Sequence, residues 1–277
     1  MKDDIYEQLL IVLVLYKIEM LKSKTFITLR DEIEKNKVAV LVYDNSPQPQ
    51  INIQGSHIHY VSDISNGGVS KAYNAGANLA SLLNKKYLLL TDQDTIFPNN
   101  ALKTYMDATR KFSAQKLFSP ILLSNGVPYS PCKYLFDRGF IWDDVRSGIF
   151  KLRGKNLLNS GILVEKDVFL AIGGYDENIK LYFSDFDFVN RLKTKIDEFY
   201  IVDVICQHEL SDATKSDLNS AKFRFKHYVL GGYRCSKGLY SKICQFFWLF
   251  LRAFKLSIKY RDTIFFSILF VKKKDET

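Results

Sequence analysis

The chain has 277 residues, enough for one large domain or one α/β domain with a smaller appendage. Apolar residues make up 47% and charged residues 25%, so a sizeable core is available and disorder is excluded as the default state. A formal charge of +9 directs attention to polyanions, an anionic membrane surface or phosphorylated small molecules; four cysteines without a CxxC spacing argue against a disulfide framework and for free thiols in a reducing compartment.

In chain order, the apolar run Leu9–Tyr16 comes first. It follows Asp3, Asp4 and Glu7, lacks the basic flank and small-residue cleavage site of a signal peptide, and is far shorter than the about 20 residues of a membrane span. It reads as a buried strand, which places the catalytic part in the cytosol. Val38–Asp44, Tyr87–Thr91 and Leu117–Leu122 read as further strands, with helices at Ser23–Asn36 and Val69–Asn84 between them. The first two strands are continuously apolar, as in parallel sheets covered on both faces. Alternating β and α units predict a doubly wound α/β sheet, with ligands beyond the carboxyl ends of its strands. Residues 124–158, punctuated by Gly, Pro and charge, read as irregular. A strand at Tyr200–Val204 precedes a basic helical region, so the expected division is 1–208 for the catalytic domain and 209–277 for a C-terminal extension.

Three stretches carry chemistry. Asp92-Gln93-Asp94 follows an apolar strand, and a carboxylate pair there suits a hard divalent cation that leaves positions open for phosphate; a solvated turn has the same spacing. Asn66-Gly67-Gly68 opens a helix rich in small residues, which permits close backbone approach and offers an anion the helix N-terminus; a glycine turn before an Ala-rich packing helix looks alike. It is neither a P-loop nor GxGxxG. In Ser184-Asp185-Phe186-Asp187-Phe188-Val189-Asn190-Arg191-Leu192, taking Ser184 as N-cap, Asp185 and Asp187 lie about 200° apart on a helix. Asp187 pairs with Arg191 and closes a capping box with Ser184. Asp185 heads the apolar face and has no structural partner, which makes it the candidate general base. His57 and His59 share a strand face, a weak metal signal, and Arg224, Lys226 and His227 form either a phosphate contact or a solvated basic helix. No nucleic-acid-reading module is present.

Taken together, VYDNS at 42–46, NGGVSKAYNAGA at 66–77, LLLTDQDT at 88–95, NSGILV at 159–164, GGYDE at 173–177 and SDFDFVNRL at 184–192 resemble, in this order, the inverting family 2 glycosyltransferases, and among them the bacterial rhamnosyltransferase-like branch. The first strand ending in Tyr16, His208 after a late strand and HYVLGGYR at 227–234 extend the resemblance over residues 8–235. It implies a GT-A fold, a Rossmann-like, mostly parallel sheet flanked by helices. It implies a dTDP- or UDP-sugar donor bound by Tyr16, Asp44, Asn66, Gly68, Asn74 and Asp92, with Asp44 on the base. Mn²⁺ or Mg²⁺ would be held by Asp94, Asp92 and His208. Asp185 would be the base, with Asp187 as second candidate. The sugar, rhamnose in that branch, would pass with inversion to a lipid-linked or polysaccharide acceptor in O-antigen or capsule synthesis. Galactofuranosyl or hexosyl transfer, or a non-catalytic nucleotide-sugar-binding partner subunit, are the alternatives. Two departures stand out: Ser184 where many relatives carry an acid, and GGYRCSKG where many carry an arginine–asparagine pair.

The stretch 242–274 mixes Phe246, Phe247, Phe250, Leu251, Phe254 and Ile258 with Arg252, Lys255 and Lys259 on one narrow stripe. This is the pattern of an interfacial helix on an anionic membrane, and a helix packed on the core or at a homodimer interface shares it. The expected location is therefore the cytoplasmic face of the membrane, held peripherally.

Overall fold

The computed structural model describes residues 5–50, 55–208 and 217–270. The strands are β1 (Leu9–Leu15), β2 (Ala39–Asp44), β3 (Ile58–Ser62), β4 (Tyr87–Asp92), β5 (Thr95–Ile96), β6 (Leu117–Ser124), β7 (Val127–Ser130), β8 (Cys132–Leu135), β9 (Arg138–Phe140), β10 (Gly148–Lys151), β11 (Lys155–Asn156), β12 (Ile162–Glu165) and β13 (Glu198–His208). The helices are α1 (Lys24–Asn36), α2 (Gly68–Leu82), α3 (Ala101–Lys111), α4 (Lys166–Ala171), α5 (Ser184–Leu192), α6 (Leu218–Cys235), α7 (Leu239–Tyr260) and α8 (Ile264–Ile268).

The main sheet runs β10-β13-β6-β12-β4-β1-β2-β3. Strands β3, β2, β1 and β4 are parallel, and so are β6 and β13, while β12 runs antiparallel between β4 and β6. Strand β1 shows why the order holds. Every residue from Leu9 to Leu15 is buried, and alternate side chains enter two cores. Leu10, Val12 and Val14 meet α2 through Ala72, Tyr73, Ala77 and Ala80. Leu9, Ile11, Leu13 and Leu15 meet α1 and α3 through Phe26, Leu29, Ile33, Leu102 and Met106. A strand covered on both faces has no polar side, which is what the unbroken apolar run encodes. Helix α2 lies close on β1: a Cβ on Gly76 would stand 2.3 Å from Val12 Cγ2.

Residues 124–158 are not irregular. Strand β7 folds back on β6, β10 edges the main sheet beside β13, and β8, β9 and β11 form a small second sheet. Strands of two to four residues are too short to show a period of two. The four cysteines are free, with Cys132 and Cys206 buried.

Helices α6–α8 bury a third cluster of their own, built on Phe225, Val229, Leu249, Ala253, Phe265 and Leu269. They are fastened to the sheet region by Arg234, which grips Asp176 through Nε and, at 3.0 Å, through Nη2, and by Trp248 Nε1, which donates to the Phe136 carbonyl at 2.8 Å. Helix α7 ends at Tyr260, where Arg261 turns to φ 53°, so the C-terminal pattern is broken into two helices. Arg252 does not join a free basic stripe; its guanidinium stacks 3.9 Å from the Tyr228 ring centre.

Candidate active site

Parallel strands deliver their carboxyl ends to one edge. Register pairs Leu15 with Asp44 and Val14 with Asp92, so these three strand ends are level. Strand β13 ends beside them, His208 pairing with Thr95 on β5. Above this edge opens a cleft of about 1140 Å³, lined by Tyr16, Asn66, Gly68, Asp92, Asp94, Asp185 and His208 among others. Seven of the ten residues singled out from the sequence therefore face one space.

The loop after β4 is fixed from below. Thr25, in the first turn of α1, donates its hydroxyl to the carbonyls of Asp92 and Thr95, the latter at 3.0 Å, and accepts from Thr95 N at 3.2 Å. Tyr73 donates its hydroxyl to Asp92 Oδ1 at 2.8 Å. Burial raises the Asp92 carboxyl above its ordinary range, against the pull of nearby His208. Ser160 accepts from Asp92 N at 3.2 Å and meets Thr95 Oγ1 at 2.6 Å; Thr95 Oγ1 in turn lies 2.8 Å from His208 Nδ1. Asp94 Oδ1 is buried 3.3 Å from His208 Nδ1 and has no hydrogen-bond partner among the described residues.

The expected three-residue metal set is not assembled as a cage: no group of three or more His, Cys, Asp and Glu among the described residues stands ready to hold an ion. Asp92 is turned to Tyr73, and Asp94 meets His208 alone. An orphaned carboxylate oxygen beside an imidazole still suits a divalent cation whose other ligands arrive with a diphosphate.

Across the cleft, Phe183 at φ 70° occupies the N-cap of α5, and Ser184 is already helical. The Ser184–Asp187 capping box therefore does not form; Asp187 N donates to the Phe183 carbonyl at 2.9 Å instead. The two carboxylates still diverge as helix geometry requires. Asp187 is buried and accepts from Arg191 Nε at 2.8 Å, and Arg191 Nη1 goes on to the carbonyls of Ile172 and Gly174. Asp185 points into the cleft, accepting from Phe186 N at 2.8 Å. Burial pushes its pKa up to about 7, and the Asp92 charge adds to the shift.

Asp44, Asn74 and Asp187 stay outside the cleft lining. Asp44 is fully buried, accepting from Ser46 N, Gln50 Nε2 and Tyr60 Oη at 2.9, 3.0 and 2.9 Å. Asn74 is committed to the Gly-Gly-Tyr loop: its amide donates to the Tyr175 carbonyl at 3.0 Å and accepts from Tyr175 N at 2.8 Å. Gly68 has φ +83° and approaches the Lys180 carbonyl so closely that a Cβ would stand 2.7 Å from it.

Sequence reasoning passed over Asp63. Despite burial, hydrogen bonds from Ser65, Lys71 and Tyr43 hold its carboxyl well below the usual range and shape the turn that carries Asn66. A lone acid after a short strand gives no signal of that. It also left open the face of α6, where Phe223, Arg224 and Tyr228 line the far wall of the cleft.

No family model matches the sequence, and no curated protein matches it. Solved structures do match in fold. A structure of S. aureus TarS residues 1–349 aligns with 97% of this chain and 76% of its own, at 12% identity and a TM-score of 0.55. The same fragment in complex with UDP, and again with UDP-GlcNAc, aligns with 82% of this chain at a TM-score of 0.54. The chain spans 64% and 66% of those two, just under two thirds of their length. At 12% identity the likeness is one of fold, and the fold is that of GT-A glycosyltransferases.

Proposed function

We propose that the chain is an inverting glycosyltransferase that moves a sugar from a nucleoside-diphosphate donor to a hydroxyl of a cell-surface glycan acceptor. The observation that carries this reading is Asp185: a carboxyl with a pKa near 7 on the wall of a cleft whose opposite side holds Asp92, Asp94 and His208. A group poised near neutrality is suited to take a proton. The acceptor hydroxyl attacks the anomeric carbon, its proton passes to an Asp185 oxygen, and the nucleoside diphosphate departs from the opposite face. One displacement inverts the centre.

In this reading Asp94 and His208 would hold Mn²⁺ or Mg²⁺ together with the donor diphosphate. The ion, when bound, neutralises charge growing on the leaving group. Tyr16, Asn66, Gly68 and Asp92 line the nucleotide-sugar side. Asp44 and Asn74 support it from behind, by fixing the loops at 45–50 and 174–177. The nucleotides in the TarS complexes favour a uridine diphosphate donor. Rhamnose rests on the sequence motifs alone, and UDP-GlcNAc is the first donor to try.

Residues 1–208 would be the catalytic domain and the helices from 217 onward a region that rests on an anionic membrane. No helix among the described residues is long and apolar enough to cross a membrane. Helix α7, however, exposes Phe247, Phe250, Phe254 and Ile258.

Thermal shift of the full chain against UDP-GlcNAc, other UDP-sugars and dTDP-rhamnose, with and without Mn²⁺, tests the donor. Asp94→Asn should abolish most of the metal-dependent stabilisation while leaving the metal-free signal in place. Identical shifts for parent and variant would remove Asp94 from the donor site.

A further inference from the structure

The basic stretch of Arg224, Lys226 and His227 divides once it is folded. Ser220, Phe223, Arg224, His227 and Tyr228 all line the catalytic cleft, and their spacing of three and four residues makes them one face of α6. Lys226 lies outside that lining. A solvated basic helix would turn its cations outward, whereas Arg224 is partly buried and faces the cleft.

Arg224 has no carboxylate of its own. Other cations on the same helix do: Lys222 reaches Asp262 at 2.8 Å, and Arg234 grips Asp176. Among the described residues Arg224 makes neither an ion pair nor a hydrogen bond. The acids of the cleft are committed elsewhere, Asp92 to Tyr73, Asp94 to His208 and Asp185 to Phe186 N. Asp217, the N-cap of α6, is taken by Ser220. A guanidinium is a rigid fork of donors that matches phosphate and carboxylate. Drawing it partly out of water without a counter-charge is unfavourable. An uncommitted one on a cleft wall therefore points to an acidic group that arrives with a ligand.

Its place in the cleft decides between the two substrates. Tyr228 stands about one helical turn, or about 5.4 Å, along the stripe from Arg224. The Tyr228 ring lies 4.7 Å from that of Phe183 and 5.5 Å from that of Tyr182. Phe183 is the N-cap of α5, two residues before Asp185. The Arg224 stripe thus runs beside the wall that carries the proposed base, where the acceptor hydroxyl would lie. Other elements serve the donor diphosphate in the same reading: Asp94 and His208 at the strand ends, and Lys180, whose carbonyl abuts Gly68 at the start of α2. Arg224 is surplus to that set.

We propose that Arg224 seats an acidic group, phosphate or carboxylate, carried by the acceptor, so that the acceptor is an anionic glycan rather than a neutral one. No bond is made or broken at Arg224; it positions the acceptor, and its charge selects it. Assigning the acid to the acceptor rests on the glycosyltransferase reading; the anion seat itself does not.

The test uses the full chain with saturating UDP and Mn²⁺, which fill the donor side. Calorimetry then compares glucose 6-phosphate, glucuronate and glucose, which differ at C6. At least one of the acids should bind and glucose should not, and the stronger acid identifies the group. Arg224→Gln should weaken that binding about tenfold or more, the effect of losing a hydrogen-bonded charge pair, and Arg224→Lys should weaken it less. Lys226→Gln, on the same helix outside the cleft, should bind the acid as the parent does. UDP affinity, which also reports folding, should stay unchanged in all three variants. The proposal is overturned if neither acid binds, or if Lys226→Gln weakens binding as much as Arg224→Gln does. It is also overturned if Arg224→Gln loses UDP affinity and keeps the acid, which would return Arg224 to the donor diphosphate. Failure of UDP to bind the parent, with acid binding still lost in Arg224→Gln, sinks the glycosyltransferase reading and leaves the anion seat standing.

Discussion

At the scale of single residues, two acids two positions apart have different surroundings, and the role proposed for each has its own readout. Asp185 carries a raised pKa, so the folded chain holds its proton more tightly than the unfolded chain does. Stability is therefore lost as pH rises from about 3.8 towards about 7. Asp185→Asn should be more stable than the parent above about pH 7 and equal to it at about pH 3.5. Its turnover should fall by about 10²–10⁴-fold, and the rise of parental turnover through about pH 7 should vanish with it. A fully active variant would sink the proposed base. Asp187→Asn strips a partly buried guanidinium of its counter-charge. Arg191 keeps 20% exposure, so the loss should be about 2–3 kcal/mol, under the 3–5 kcal/mol of a fully buried pair. Chemical denaturation measures it, and turnover per folded molecule should change little.

Among the elements, α7 poses the sharpest question, because it has two unlike apolar faces. Leu249, Ala253 and Gln245 are buried against the neighbouring helices, while Phe247, Phe250, Phe254 and Ile258 stay in water. Replacing Phe247, Phe250 and Phe254 together by Ser should abolish binding to phosphatidylserine-containing liposomes and leave the melting temperature within a few degrees. If the parent dimerises and never binds liposomes, the face is a contact between copies. Such elements also mark what a sequence can disclose. Strands β1, β2 and β4 and helices α1 and α2 were legible, because burial on two faces or on one stripe writes a period into the residues. The acidic strand ends followed, since strand direction alone decides where they go. Strands β7–β11 were not legible, because their pairing is decided by partners far along the chain. Asn74 illustrates a different failure: it sits where a ligand-facing residue was expected, yet its amide is taken by Tyr175, and only the packed loop reveals that.

For the whole molecule, the cleft crosses the division expected at residue 208. Its near side comes from strand ends, and its far wall comes from Phe223, Arg224 and Tyr228 on α6. The forked pair of Arg234 and Asp176 joins the two sides, beside the Trp248 bond, and it keeps the Asp176 carboxyl down at about 2 despite burial that acts to raise it. Each partner remains about a quarter exposed, at 27% and 26%, so dissolved ions reach it. Ionic strength is therefore expected to act on the geometry of the cleft. At about 0.5 M salt, where the Debye length falls to a few ångströms, amide hydrogen exchange should quicken in α6 and α7 while β1 keeps its protection. Arg234→Met should reproduce that pattern in dilute buffer. A far wall fastened in part by a solvent-accessible ion pair would carry its own salt gauge, with the width of the cleft expected to follow the medium around it.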